Sequence, residues 1–574
     1  MIERRDRLHP DARVSEYTDK GWWTAETIDG IFRGQVAERA DKLAIVDPAN
    51  RVDLDGNEPR RLTWGELGSE VTALAARLLE HGVGRGDLIG AQLLNSIELA
   101  ELYLAAWTIG AAVSPLAMQY RENEIGQMSR GAAFDVVVAA RRFADRAPAE
   151  DIARLTRGTT VRTVFCFDTG DQPLGEDVID LTPAAATAAD AAAVEAYRAA
   201  HPNDPNDCVT ICWTSGTEGL PKGVMRAHYD WLAFSWATLD APRVIAEDVL
   251  LNPFPMINMA GICGMMLPWL RSGAALVQHH PFDAPTFFRQ IAVERVTYTL
   301  APPAMLWMLL NNEELLSRID LSSLTRIGSG SAPLQPAMVR GWQERFGLSV
   351  INFFGSNEGV ALLSSSEDFP DPDERALFFP RYGAEGAHWS SRVGDWIKVK
   401  LVDLETGEVI TEHGRAGELH IAGPHVFPGY ADMANLNTPF DEEGYLKTGD
   451  MFEIAGQTGQ FLRYVDRAKD IIIRGGMNVA PAELEAHISD HPDVMDVAVV
   501  GYPDDALGER IAVIVVPRPD TAPTLESIVE LLRGHQLASF KLPERLEVRD
   551  VLPRNPVGKV LKRDLRESLT APVA

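Results

Sequence analysis

Twelve residues, Trp213-Thr-Ser-Gly-Thr-Glu-Gly-Leu-Pro-Lys-Gly-Val224, constrain this chain more than any other segment. They continue a β-rich run, residues 208–214, that reads as a buried strand. Gly216, Gly219 and Gly223 let the backbone bend sharply and present N–H groups outward. Thr214, Ser215 and Thr217 add hydroxyl donors, and Lys222 adds a cation. Such a loop cradles phosphates. It is not the Walker loop, because Pro221 stands where the glycine before the lysine belongs and Gly223 replaces the Ser/Thr that holds magnesium. A P-loop NTPase is therefore excluded.

Around this loop, helices and strands alternate with short turns, the signature of α/β layering. Leu67, Val71, Leu74, Ala75, Leu78 and Leu79 predict one helical face, with Gly82 as its stop signal. The alanine-rich residues 183–201 read as a surface helix or loop. From about Arg467 the texture changes. A strand is followed by a helix starting at Pro481 with Leu484 and Ile488 one turn apart, then by strands over 497–500 and 511–516. A last helix, with Leu525, Ile528, Val529 and Leu532 on one face, starts behind Thr524 as cap. The expected organisation is a large α/β N-terminal domain, residues 1–466, and a small α+β C-terminal domain, residues 467–574.

Composition narrows the function classes. The 574 residues carry a formal net charge of -28, which argues against nucleic acid or an anionic membrane as partner. The opening MIERRDRLHP lacks the apolar run of a signal peptide, and the least polar stretch, residues 102–120, is interrupted by Gly110 and Pro115. A soluble cytoplasmic protein without a membrane span is expected. Cys166, Cys208, Cys212 and Cys263 lack paired CxxC spacing and read as buried thiols rather than metal ligands. Residues 541–567 reverse the overall charge, with eight cations against five anions.

Six further motifs follow the phosphate loop or its neighbourhood in order: Ser329-Gly-Ser-Ala-Pro-Leu334, Phe354-Gly-Ser-Asn-Glu358, Gly417-Glu-Leu-His-Ile-Ala-Gly423, Tyr445-Leu-Lys-Thr-Gly-Asp450, Asp466-Arg-Ala-Lys-Asp470 and Pro553-Arg-Asn-Pro-Val-Gly-Lys559. With them the chain resembles the adenylate-forming superfamily of acyl-CoA synthetases, aryl-acid adenylating enzymes, nonribosomal-peptide adenylation domains and firefly luciferases. The resemblance implies a multi-subdomain N-terminal domain of layered sheets plus a small β-barrel, and a mobile C-terminal domain. It also implies ATP, Mg2+ and CoA as substrates and metal, with a carboxylic acid joined to AMP and then passed to a thiol.

The same resemblance assigns roles. Glu358 matches the magnesium-binding glutamate, a hard oxygen ligand. Asp450 and Arg467 match ribose contacts, Phe354 the ring stacked on adenine, and Ser331, Ala332 and Pro333 would flank that base. Asn357 stands for a threonine beside the metal glutamate and can still donate to a phosphate oxygen. Lys222 should hold the departing phosphates, and Lys559 should bridge the attacking carboxylate and the α-phosphate. Lys469 matches the hinge, and after rotation Gly475 and Gly476 would face the thiol tunnel.

Several positions leave the family pattern. Asn258 sits where many members have histidine, Glu218 replaces a threonine, and Ser331 and Asp466 each replace a glycine. The transferable pocket positions, Asn258, Gly330, Phe353, Gly355 and Val360, hold no Lys or Arg, which suits a hydrophobic acid. Tyr17-Thr-Asp-Lys-Gly-Trp-Trp23 resembles the N-terminal segment of aryl-acid and alicyclic-acid ligases. The polar residues 364–383 are expected either to cover the acid entrance or to form a plain surface insertion. Three functions stand: an acid–CoA ligase, a stand-alone enzyme loading an acyl carrier protein, and a non-catalytic nucleotide-binding protein. Intact Lys559, Glu358 and Asp450 argue against the third. Whether the chain forms an oligomer is left open by its sequence.

Overall fold

The strand preceding the phosphate loop, Cys208–Trp213, lies near one edge of a seven-stranded sheet in a computed structural model that describes residues 7–167, 174–175, 177–182, 185–214, 221–431, 438–475, 477–504, 507–554 and 559–570. Five strands of that sheet run parallel with their neighbours from Val178–Asp180 through Leu88–Gln92 to Ala112–Pro115, and Cys208–Trp213 continues them. Gly223–Ala227 then returns antiparallel as the edge strand. A second sheet of eight strands has a parallel centre, with Ala361–Ser364 antiparallel at one edge and Arg61–Thr63 at the other.

Helices Trp64–Glu80, Ile97–Thr108 and His228–Asp240 contribute to one hydrophobic cluster with both sheets. All twelve residues of Ile97–Thr108 are buried, which explains why this part of the chain reads as the least polar. The predicted helix around Leu67 starts at a capping box between Thr63 and Glu66 and stops before Gly82, whose φ of 72° suits a left-handed turn. The alanine-rich stretch contains the helix Ala188–Ala200, with Val194 as its buried residue. All four cysteines are buried and free. Burial pushes the Cys166, Cys212 and Cys263 thiols up to about 12, so they are poor nucleophiles.

Six antiparallel strands, from Phe378–Pro380 through Phe461–Arg467 to Val409–Ile410, form the all-β unit of the large domain. Residues 364–383 connect it to the eight-stranded sheet. Their helix Pro372–Leu377 packs on Pro336–Phe346, and the buried Arg375 guanidinium donates to the Phe369 carbonyl at 2.9 Å. This segment is a folded bridge between two sheets.

Sheet membership changes after Arg467. Ile472–Arg474 joins a separate sheet with Met477–Val479, Val494–Asp504 and Gly508–Pro517, and Arg545–Val548 pairs parallel with the last of these. Leu484, Ile488, Ile528 and Leu532 cover one face of this small sheet. Leu565 and Leu569 cover the other. Each predicted small-domain element is present, including the Thr524-capped helix Leu525–Gly534. Among the described residues no helix is long and apolar enough to cross a membrane.

Candidate active site

The mouth of the phosphate loop is closed by its flanking residues. Thr214 N donates to the Lys222 carbonyl at 3.0 Å, and Lys222 N donates to Thr214 Oγ1 at 3.1 Å. Ser215, Gly216, Thr217 and Gly219 lie outside the described residues. Lys222 stands 5.3 Å from the centre of the Tyr430 ring, a cation–π distance. The Tyr430 hydroxyl in turn donates to Glu358 Oε1 at 3.1 Å. Lys222, Tyr430 and Glu358 thus form one row beside the loop.

Glu358 sits in the tight connection between the antiparallel strands Ser349–Gly355 and Ala361–Ser364. Its carbonyl accepts from Phe427 N at 3.0 Å. Gly359 is at φ 117°, and a Cβ there would lie 2.6 Å from the His425 carbonyl oxygen, so this position requires glycine. Among the described ion pairs, none occupies Glu358. Among the described residues no group of three His, Cys, Asp or Glu side chains could cage a metal. A single half-buried carboxylate next to a phosphate loop fits Mg2+, which is commonly held by one or two carboxylates plus substrate phosphates and water.

Of the residues expected at the nucleoside, Asp450 and Arg467 stand on the six-stranded sheet, and Phe354 and Ser331–Pro333 on or just after strands of the eight-stranded one. Asp450 is paired in register with Arg467, whose Nε lies 3.0 Å from Asp450 Oδ1. Burial raises the Asp450 pKa while Arg467 and Lys559 oppose the shift. Phe354 stands among Phe379, Phe452 and Tyr464, with its ring edge-on to Phe452 at 5.1 Å. Ser331, Ala332 and Pro333 are exposed, and Ser331 adopts φ 70°. The serine therefore occupies a left-handed conformation that glycine takes without a Cβ penalty.

Lys559 reaches this side from the small domain. Burial, and then the charge of Arg467, pull its pKa down to about 8, while Asp450 and Asp470 raise it. Lys469 lies in the turn 468–470 that links the two sheets. Gly475 turns at φ 59° and donates its N–H to the Leu507 carbonyl at 2.7 Å, whereas Gly476 lies outside the described residues.

On the acid side, Gly330 and Phe353 are parallel register partners, and a Cβ on Gly330 would lie 2.2 Å from the Phe353 carbonyl oxygen. A Cβ on Gly355 would meet Met259 Cε at 2.4 Å and the Val360 carbonyl at 2.9 Å. These four positions are therefore close together, with Met259 as an additional wall. Asn258 is turned differently from a ligand-facing amide: its Oδ1 accepts from Ala260 N at 3.0 Å and caps the turn it precedes. Asn357 Oδ1 is likewise occupied, by Met259 N at 2.7 Å, which leaves the amide NH2 as the group for a phosphate.

Sequence reasoning missed Tyr430, Met259 and above all Arg226. This arginine is on the strand that follows Lys222, is fully buried, and donates to the carbonyls of Asn357 and His425. The available signal was a charged residue between apolar neighbours in a strand buried on both faces.

Comparison with known proteins gives a consistent picture. Residues 32–431 match the family model of the AMP-binding enzyme, and residues 483–559 match that of the AMP-binding enzyme C-terminal domain. A 4-coumarate–CoA ligase of Pinus taeda is 29% identical over 544 residues, covering 94% of each chain. Pyochelin synthase PchD of Pseudomonas aeruginosa is 29% identical over 565 residues, 98% of this chain and 95% of that protein. The ATP-bound structure of MatB from Rhodopseudomonas palustris is 25% identical and superposes with a TM-score of 0.76 over 95% of this chain and 99% of its own. The apo structure of the same protein gives 0.67.

Proposed function

This chain belongs to the family of AMP-binding enzymes, and from that premise we propose that it is an ATP-dependent acid–CoA ligase acting on a hydrophobic carboxylic acid. A carboxylate oxygen attacks the α-phosphorus, the bond to the β-phosphate oxygen breaks, and pyrophosphate leaves. The CoA thiol then attacks the acyl carbonyl, the bond to AMP breaks, and the thiol proton goes to solvent.

The observation that carries this reading is Lys559 of the small domain standing in the charge field of Asp450 and Arg467. In that position its ammonium screens the repulsion between the carboxylate and the α-phosphate, the main barrier when two anions must meet. Asp450 and Arg467 hold the ribose, Phe354 and the Ser331–Pro333 turn hold the base, and Lys222 takes the β- and γ-phosphates. Thr214, Ser215, Gly216, Thr217 and Gly219 supply the remaining donors of the phosphate loop, with the Asn357 amide beside them. Mg2+ held by Glu358 would neutralise the leaving pyrophosphate. The acid lies along Gly330, Phe353, Gly355 and Val360, next to Asn258. Lys469 is the hinge about which the small domain turns for thioester formation, bringing Gly475 and Gly476 to the thiol path.

The likeness to a 4-coumarate–CoA ligase supports CoA as acceptor and an aromatic or similarly apolar acid. The Tyr17–Trp23 segment supports an aryl or alicyclic acid, and the likeness to pyochelin synthase PchD supports the second reading, transfer to an acyl carrier protein. Release of AMP and pyrophosphate across a panel of acids, with and without CoA, tests both. CoA-dependent turnover with an apolar acid is the expected result. AMP release that stays flat for every acid in the presence of CoA removes the CoA reading.

A further inference from the structure

Arg226 is the most deeply buried cation beside the site, and its contacts form a chain that ends in the N-terminal segment. Its Nε and one terminal nitrogen donate to the Asn357 carbonyl at 2.9 and 2.5 Å, and the other terminal nitrogen donates to the His425 carbonyl at 2.6 Å. The guanidinium lies 4.7 Å from the centre of the Trp231 ring. Its counter-charge is Asp230, fully buried and 3.7 Å away. Asp230 Oδ2 in turn meets His9 Nε2 at 3.1 Å, where both side chains are inaccessible to solvent.

The Asn357 carbonyl belongs to the peptide unit whose nitrogen is that of Glu358. Fixing that planar unit on one side, while Phe427 N holds the Glu358 carbonyl on the other, leaves the Glu358 backbone little freedom. Arg226 also binds the His425 carbonyl, and His425 lies in the segment that carries Phe427 and Tyr430. One planar, multi-donor cation thus sets the spacing between the two strips of backbone that aim the Glu358 carboxylate. A lysine has a single ammonium and cannot reproduce that fork.

The N-terminal segment reinforces the same strip at two more points. Arg13 donates to the Gly423 and Val426 carbonyls at 3.1 and 3.0 Å, and Trp23 Nε1 donates to the Pro424 carbonyl at 3.0 Å. All three N-terminal residues lie before residue 32, where the match to the family model begins.

We propose that Arg226 is a positioning residue for the magnesium carboxylate Glu358, and that His9, through Asp230, makes the N-terminal segment part of the metal-aiming structure. This rests on the reading of Glu358 as the metal ligand, and not on CoA or on any particular acid. Unpaired, the buried Arg226 would carry an uncompensated charge, so Asp230 and His9 stabilise the geometry without touching substrate.

The test uses the full chain, Mg2+ and ATP, with binding measured by calorimetry and no acid or CoA present. In Arg226→Lys the Mg2+ concentration for half-maximal ATP binding should rise by about tenfold or more, the usual cost of losing support behind a metal ligand. ATP binding in EDTA should stay within about twofold, well under the effect of losing a direct contact. Amide hydrogen exchange of the ligand-free chain should accelerate at residues 356–360. His9→Phe should move both readouts in the same direction by less, and it serves as the test where Arg226→Lys does not fold. Unchanged Mg2+ dependence in a folded variant overturns the proposal. So does faster exchange confined to residues 7–23. A chain that binds Mg2+ and ATP as described yet releases no AMP with any acid would leave this inference standing and remove the ligase reading.

Discussion

The two halves of the site are held by different kinds of contact. On the phosphate side, Lys222, Glu358 and Tyr430 stand next to strands whose core continues through both large sheets, with a fully buried arginine behind them. On the Lys559 side, the small domain keeps its own two hydrophobic clusters, and neither contains a residue from before Ile472. It meets the large domain through polar contacts. Asp466 Oδ2 accepts from Ala482 N at 2.7 Å, in the first turn of Pro481–Ile488, and the Lys562 ammonium acts on the same carboxylate. Contacts of this kind exchange with water at little net cost, whereas a shared apolar core does not. The difference teaches that one half shares the core of the large domain, while the other is joined to it by polar contacts alone among those described above, as the proposed rotation requires.

The largest effect should come from Lys559→Ala. Adenylation, followed by pyrophosphate exchange, should fall by about 10²–10³, the scale for losing one preorganised transition-state contact. Conversion of supplied acyl-adenylate to thioester should persist, and the melting temperature should hold. Equal loss in both half-reactions would break the division into a fixed and a mobile half.

Next in size, Gly330→Ala should act on the fixed half through stability. Its Cβ would lie 2.2 Å from the Phe353 carbonyl, and the strain should lower the unfolding free energy in urea by about 1–3 kcal/mol. An unchanged denaturation midpoint would mean that the two strands can separate.

The pH profile sharpens the mobile half. The Lys559 pKa is lowered to about 8, so the ammonium that bridges two anions is lost as pH rises through that value. The kcat/KM for ATP in adenylation should therefore decline above pH about 8 in the free enzyme, with kcat holding to higher pH once bound phosphates favour the cation. For stability the sign is the opposite: burying the charged form opposes folding below about pH 8, and this penalty is relieved as pH rises towards the ordinary lysine value. An alkaline limb with equal midpoints in kcat and kcat/KM would contradict the assignment.

A smaller shift is expected from Asp466→Gly, which removes the acceptor on Ala482 N. Adenylation should slow by a few fold and thioester formation should not, because one net hydrogen bond is worth about 0.5–1.5 kcal/mol. Smallest of all, Ser331→Gly should raise stability by about 1 kcal/mol or less, since the left-handed strain is relieved while chain entropy opposes it. Calorimetric unfolding measures it.

Much of the fold was legible because its signals are local. Periodicity around Leu67, Pro481 and Leu525, and the change of texture near Arg467, depend on neighbours three or four residues apart. The ordered motifs singled out Glu358, Asp450, Arg467 and Lys559 by residue type, and the fold brings the last three together. The support behind them was not legible. Arg226, Asp230 and His9 are separated by as many as 221 positions in sequence, and each alone reads as an ordinary charge. For residues 364–383, polarity in the sequence did not reveal a bridge that buries its own arginine.

The sequence by itself determined the α/β layering, the two-part organisation and the ordered motifs of the AMP-binding family. Only the tertiary structure decided that Asn258 spends its oxygen on a helix turn, that Ser331 sits in a conformation suited to glycine, and that a buried arginine holds the Asn357 and His425 carbonyls. Residue type and spacing encode which groups are present. Which lone pairs and donors are still free is settled by packing across sheets, where the partners are distant in the chain.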